Sequence, residues 1–261
     1  MRKTYKCKKC GKKSFWKIRR NHLKCRYCKS EISRRFGCLN ISRNTWKMII
    51  HWFILEQSSN RIQEQTNISK YYILKALMLL RKQMLVDIPK VFSGIVEVDE
   101  TYLGGQWKNK RLSVKVKLPK SRKGKGTTKQ PVFGILCRSG QIWAELIDGV
   151  EAIDLQPIIQ KQAKAGSTVM SDTWRGYTGI AAKGYVHRQV EHGKEYVSIE
   201  GNHINGLEGF WGYLKRKLQA KGGIRKSRLH LYLGEYVWRY NHRYMNVKEQ
   251  TKYLLNLVAN I

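Results

Sequence analysis

Acidic residues are scarce in this chain: 18 Asp plus Glu stand against 51 Lys plus Arg, a formal net charge of +33 over 261 residues. A compact protein with that much like charge repels itself unless a polyanion neutralises it. Long apolar runs are also missing. No stretch of 18 apolar residues occurs, which excludes an ordinary membrane-spanning helix. The opening MRKTYKCKKCGKK lacks the apolar segment of a secretory signal, so an intracellular protein is expected: nuclear in a eukaryote, cytoplasmic or nucleoid-bound in a bacterium. Neither an amphipathic anchor nor a lipidation motif is present, so membrane lipid is a poor choice of polyanion. Nucleic acid is the better one, with affinity that falls as salt rises. Charge alone does not separate a DNA-processing enzyme from a ribosomal or chromatin-like packing protein. The hydrophobic content of 42% is ordinary, so a core can be buried, and the length allows one substantial domain with one or two small modules.

Cysteine is limited to six residues, and four of them fall in two CxxC pairs, Cys7/Cys10 and Cys25/Cys28, with fourteen residues between. This is zinc-ribbon spacing, in which each pair supplies two thiolates to one tetrahedral ion. The first 36 residues hold fifteen Lys or Arg and a single acid, Glu31. They contain too little apolar material for a core, so one structural zinc ion has to supply the folding energy. Disulfides, the other reading, are rare inside cells. Cys38 and Cys137 stand alone and are expected as small core residues.

Helical spacing follows. Ser42 is a plausible N-cap for a helix over 43–56 with Trp46, Ile49, Ile50 and Phe53 on one face. A short helix over 61–66 is followed by Asn67-Ile-Ser69, a second capping signal, and a helix over 70–86. The outline is that of a helix-turn-helix-like DNA-binding module, although other three-helix units share it. Pro89 closes this module. The expected domains are therefore 1–38 (zinc ribbon), 39–90 (helix-turn-helix-like) and 91–261 (catalytic).

Strand alternation begins at Gly94 and reaches Asp99, and two further strands over 131–137 and 141–147 form a hairpin across the turn 138–140. A helix over 154–164, a short strand over 167–171 ending at Asp172, and a late helix over 205–218 complete the outline. It agrees with an α/β, RNase H-like core in which helices flank a mixed sheet. Between the first two strands, residues 108–129 hold ten Lys or Arg, Pro119 and no acid. This reads as a basic loop for a DNA backbone, through Lys110, Arg111, Lys115, Lys117, Arg122, Lys123 and Lys125, with Arg216 and Lys217 adding charge from the late helix.

Phosphodiester cleavage needs a strong nucleophile and a stabilised leaving oxygen, and two Mg²⁺ or Mn²⁺ ions held by a few carboxylates supply both. Asp99, Asp172 and Glu208 occupy the three places such an acid trio takes on this fold: first strand, neighbouring strand end, later helix. Strand phase puts Ile95, Glu97 and Asp99 on one face and Glu100 on the other, so Asp99 is the expected ligand and Glu97 an accessory neighbour. On the late helix, Leu207, Trp211, Leu214 and Leu218 form the apolar stripe, while Glu208 and Lys215 share another face. His192 and His203 are accessory candidates for a phosphate or leaving group.

Four ordered words carry a resemblance over nearly the whole chain: VEVDETYLGG from Val96, SDTWRGY from Ser171, HINGLEGFWGYLKR from His203 and EYVWRYNHR from Glu235. The sequence resembles the Merlin-type DDE transposases and their bacterial insertion-sequence relatives with an ISXO-like transposase domain. The resemblance implies that Asp99 and Asp172 are metal ligands, with Glu208 or its rival Asn205 in third place and Lys215 as the basic residue after it. It also implies binding of double-stranded terminal inverted repeats and target DNA by a homodimer or higher synaptic multimer. Metal-dependent cleavage would be followed by joining of the 3′-hydroxyl ends to the target. A domesticated or inactive DNA-binding relative, and an RNase H-like nuclease acting on another DNA structure, remain the alternatives.

Overall fold

The computed structural model describes residues 6–19, 22–33, 36–39, 41–105, 112–117, 129–190 and 205–259. Two compact units emerge, Met1–Gln83 with Met245–Ile261, and Met84–Tyr244.

The first unit opens with three short antiparallel strands in the order β1 (Phe15–Arg19), β2 (His22–Cys25) and β3 (Glu31–Ser33). Among the described residues there, Cys7, Leu23 and Cys25 are buried, a core too small to hold a fold alone. Helix α1 (Arg43–Ile54) begins where expected, because the Ser42 hydroxyl accepts the Thr45 amide at 3.0 Å. Helix α2 (Ser59–Thr66) starts two residues before the sequence suggests, since Ser58 caps it through the Arg61 amide. Asn67 serves this helix rather than the next: with φ 52° it is the left-handed residue that ends α2. Helix α3 (Lys70–Val86) then buries Ile73, Ala76, Leu77, Leu80 and Met84. Cys38 is exposed, contrary to the expectation of a core residue.

The last helix, named α8 (Val247–Ala259) in chain order, packs on α1. Sequence pattern placed residues 245–261 with the catalytic domain, because an amphipathic helix does not say which face it will meet. Here Leu254, Leu255 and Val258 are buried, and a Cβ on Gly37 would lie 2.9 Å from Val258.

The second unit is built on five strands: β4 (Ile95–Leu103), β5 (Gln130–Cys137), β6 (Ile142–Leu146), β7 (Thr168–Ser171) and β8 (Val186–Gln189). Their order is β6-β5-β4-β7-β8, antiparallel across the first three and parallel from β4 to β7 to β8. Counted within the sheet this is 3-2-1-4-5, the arrangement of an RNase H-like α/β fold. Parallel neighbours need a crossover, and α5 (Ala152–Gln162) supplies the one before β7. Asp99 does not end β4, as the alternation suggested; pairing with β5 carries the strand on to Leu103. The edge strand β8 left no clear trace in the sequence because it is short and mostly exposed. A short helix, α4 (Leu112–Lys117), interrupts the segment read as a loop.

Helix α6 (Asn205–Gln219) buries Leu207, Phe210, Trp211 and Leu214 and lies on β4 and β5. Helix α7 (Leu229–Asn241) backs β6. The fourth motif explains this contact. Asn241 accepts the Ile142 amide at 2.7 Å and donates to the Ile142 carbonyl at 2.8 Å, filling both backbone positions of an edge residue. Arg243 donates to the Gly140 carbonyl at 2.9 Å and so holds the β5–β6 turn, where Gly140 takes φ 94°. Glu235 and Arg239 form a buried ion pair at 3.0 Å in the same helix.

Asn241→Ala removes two hydrogen bonds at this edge and is expected to destabilise the protein by about 1–3 kcal/mol. Urea unfolding of the zinc-loaded protein measures the loss.

Candidate functional site

Strand pairing decides which side chains meet. Glu97 lies opposite Leu136 and Asp99 opposite Gly134, so these four share the sheet face that α6 covers. On the other side of β4 the parallel register runs Ile95 to Thr168, Val96 to Val169 and Glu97 to Met170. Continued by two residues, it sets Asp172, just past the end of β7, beside Asp99.

The Asp99 Oδ2 accepts the Trp211 indole N–H at 2.9 Å. Burial pushes the Asp99 carboxyl up to about 7 and the Glu100 charge adds to this; the indole hydrogen bond opposes it, and Asp172 raises it further. A buried carboxyl that resists ionising beside a second carboxylate, the two offering only oxygen donors, suits a hard divalent cation such as magnesium or manganese. Asp172 is itself held by a short loop: its Oδ1 accepts the Trp174 amide at 2.9 Å. The Trp174 indole donates to the Val150 carbonyl at 2.8 Å.

The other nearby acids are committed elsewhere. Glu97 is 1% exposed and accepts the Leu207 amide at 3.0 Å. It thereby satisfies a first-turn donor of α6 and places a carboxylate at that helix's positive end. Glu100, on the opposite face as its phase requires, accepts the buried Tyr177 hydroxyl at 2.6 Å. Burial raises the Glu100 carboxyl, the Tyr177 hydrogen bond lowers it, and Asp172 raises it again. The Tyr177 phenol is driven well up, first by burial and then by Glu100. The word SDTWRGY is thus tied to β4 by its last residue and presents its Asp near its start.

On α6, Asn205 and Glu208 are exposed in the first turn and Lys215 lies two turns on. Burial lowers the Lys215 ammonium, the Asp99 charge raises it, and Lys129 lowers it, so Lys215 and Asp99 sense one another. The structure therefore brings together Asp99, Asp172, Trp211 and Lys215. Among the described residues, Asp99, Asp172 and Glu208 do not close into a group with all ligand atoms within 4.8 Å; the four cysteines do. Arg216 is exposed, and Lys217 lies 5.7 Å over the Tyr213 ring. Lys115 is half-buried on α4, and Lys117 ends that helix. Lys110, Arg111, Arg122, Lys123, Lys125, His192 and His203 lie outside the described residues.

Sequence reasoning missed two partners. Spacing makes Trp211 part of an apolar stripe, and Tyr177 is one residue of a motif. Buried indole and phenol groups need a polar partner, which was the available signal.

In the first unit, Cys7 and Cys28 lie 3.5 Å apart, as do Cys10 and Cys25. Tetrahedral sulfurs about 2.3 Å from zinc would be about 3.8 Å apart, so the cluster fits one zinc ion. The Ser30 hydroxyl, 3.1 Å from the Cys7 sulfur, leads the effects that lower the Cys7 thiol to about 6, and it also lowers Cys28. Both shifts favour the thiolate that a metal binds.

Two outcomes are expected. Cys25→Ser removes one ligand, and the purified protein should lose its single equivalent of zinc by elemental analysis. In zinc-loaded protein without magnesium, the folded Asp99 keeps a proton that the unfolded chain loses near 3.8. Its stabilising contribution is complete below that pH and is lost as pH rises through about 7. Thermal midpoints are expected to fall over this window, and Asp99→Asn to flatten part of the fall.

Comparison with known proteins places this geometry. Residues 91–241 match the model of the ISXO2-like transposase domain. A protein of Haemophilus influenzae described as an uncharacterized transposase-like protein is 33% identical over 118 residues, 45% of this chain and 94% of that protein. Among solved structures, the catalytic core domain of BIV integrase has a TM-score of 0.36 at 13% identity, covering 59% of this chain and 87% of that one. The Mos1 transposase paired-end complex with left transposon end has a TM-score of 0.31 at 11% identity, covering 88% of this chain and 82% of that one. The RNase H-like assignment rests on the strand order, and the family on the sequence match. The chain belongs to the ISXO2-like transposase domain family.

Proposed function

We propose that the protein is an active DNA transposase: it binds the terminal inverted repeats of an element, cleaves the element ends and joins the 3′-hydroxyls to target DNA. The observation that carries this reading is the closeness of Asp172 to Asp99, reached where the parallel β4–β7 register is continued two residues beyond Glu97 and Met170, inside a chain of net charge +33. A protein that only bound DNA would gain nothing by holding a second carboxylate where its charge opposes ionisation of Asp99. Asp99 and Asp172, with Glu208 or Asn205 as third ligand, would hold the divalent ions, which supply activation of the attacking oxygen and charge neutralisation at the leaving one. Lys215, close enough to sense Asp99, is placed to pair with a phosphate oxygen of the strand being cut.

Outside the site, the division of labour follows charge and shape. The zinc ribbon and the α1–α3 module take the terminal repeats, and the basic segment 108–129 takes a DNA backbone. Two ends have to be joined together, so a homodimer or larger synaptic assembly is the working form. No covalent link between protein and DNA is needed.

The test uses the full-length, zinc-loaded protein with duplexes carrying the element's own ends. Asp99→Ala and Asp172→Ala are expected to lower Mg²⁺-dependent cleavage by at least about 10³-fold, in line with loss of an essential catalytic group, while end binding in a gel shift stays within about twofold. Glu208→Ala is expected to behave likewise and Asn205→Ala to keep most activity; the reverse pattern would make Asn205 the third ligand. Cleavage surviving in both aspartate variants would reject the site. Failure to form joined products from pre-cut ends would reject transposition and leave a nuclease.

A further inference from the structure

Trp211 is treated most simply as a core residue, since it is 4% exposed and lies on the apolar stripe of α6. Its surroundings indicate more. The residue paired across from Asp99 on β5 is Gly134, and a Cβ built there would lie 2.6 and 2.7 Å from the far edge of the Trp211 six-membered ring. No side chain fits at position 134 while the ring stays in place. The missing side chain leaves a slot directly beside Asp99, and the indole occupies it with its N–H on the Asp99 Oδ2 at 2.9 Å.

The same device recurs one turn earlier on the helix. A Cβ on Gly206 would lie 2.6 Å from Leu136 and 3.0 Å from the Glu97 carboxylate, and the neighbouring Leu207 amide donates to that carboxylate at 3.0 Å. Helix α6 is therefore seated at two points on β4, each a hydrogen bond to an acid made reachable by a glycine. The two points are not equivalent. Glu97 is buried, whereas Asp99 lies next to Asp172 at the solvent-facing end of the pair. A phenylalanine would also place an apolar ring at 211, without a polar group to satisfy. An indole there costs the desolvation of its N–H unless that N–H is used.

We propose that Trp211 is the positioning residue for Asp99: its N–H engages Oδ2, holds the carboxylate in one rotamer and leaves Oδ1 as the oxygen presented to the divalent ion, with Gly134 as the slot that admits the ring. The inference rests on the reading of Asp99 as a cation ligand given under Proposed function. It also accounts for the helix register. Glu208 precedes Trp211 by three residues and Lys215 follows it by four, so the seat that fixes the indole also fixes how both charged residues stand relative to Asp99.

Mn²⁺ binding to the full-length, zinc-loaded protein, followed by the EPR signal of free Mn²⁺, tests this without requiring DNA or turnover. Asp99→Asn defines the part of the affinity that belongs to the site. Trp211→Phe, which keeps an aromatic but smaller ring and removes the donor, is expected to weaken that part by about tenfold or more, the usual effect of losing a group that orients a ligand. Gly134→Ala, which leaves the indole intact but fills its slot, is expected to weaken it in the same direction, and the double variant to be no worse than the worse single one. Gly134→Ala carries the test if Trp211→Phe fails to fold. Mn²⁺ affinity that depends on Asp99 but is unchanged in the folded Trp211→Phe protein would overturn the role of Trp211 alone, leaving it a packing residue. Affinity unchanged in Asp99→Asn would remove the cation-ligand reading, and this inference with it.

Discussion

Everything in the second unit depends on β4 having two different neighbours. Its antiparallel pairing with β5 sets Gly134 opposite Asp99, and its parallel pairing with β7 sets Asp172 beside it. A shift of either register by one residue would turn the acids to the wrong face or leave them apart. The parallel pair is held by a crossover through α5, and the antiparallel pair is extended to Leu103. The central strand is thus long, paired on both sides over Ile95–Glu97 just before its acid, and paired with β5 at Asp99 itself.

The carboxylates along this strand divide the work by environment rather than by residue type. Glu97 is spent on the start of α6, Glu100 on Tyr177, and Asp99 is left at the junction with Asp172. Three acids within four positions would repel one another in a common setting. Here each accepts a hydrogen bond from a buried donor, and the sheet pleat sends Glu100 to the far face. The remaining repulsion is concentrated on Asp99, where a bound cation would relieve it.

Motifs that look equally chemical in the sequence turn out to serve different ends. SDTWRGY presents Asp172 and anchors the loop behind it. EYVWRYNHR is a clamp: Asn241 and Arg243 grip the edge strand and its turn, and Glu235 with Arg239 is an internal ion pair. The cysteine quartet stands among the three short strands, where the described residues bury little apolar surface, so a bound metal would take the place of hydrophobic burial as the source of order in that segment.

Local signals were enough for much of this. The CxxC spacing, the Ser42 cap, the alternation before Asp99, its shared phase with Glu97 and the helix over 205–218 all depend on neighbours within a turn or a pleat, so the sequence alone determined them. The pairing of Asp99 with Asp172 was legible only as a topological expectation, because no local rule sets the register of strands about seventy residues apart. What only the tertiary structure decided has a common cause. Trp211 reaching Asp99 through the gap at Gly134, Tyr177 reaching Glu100 and α8 returning to α1 are each a choice of partner for a group that has to be buried. Amphipathicity states that a partner is required but leaves its identity to the packing of the whole unit.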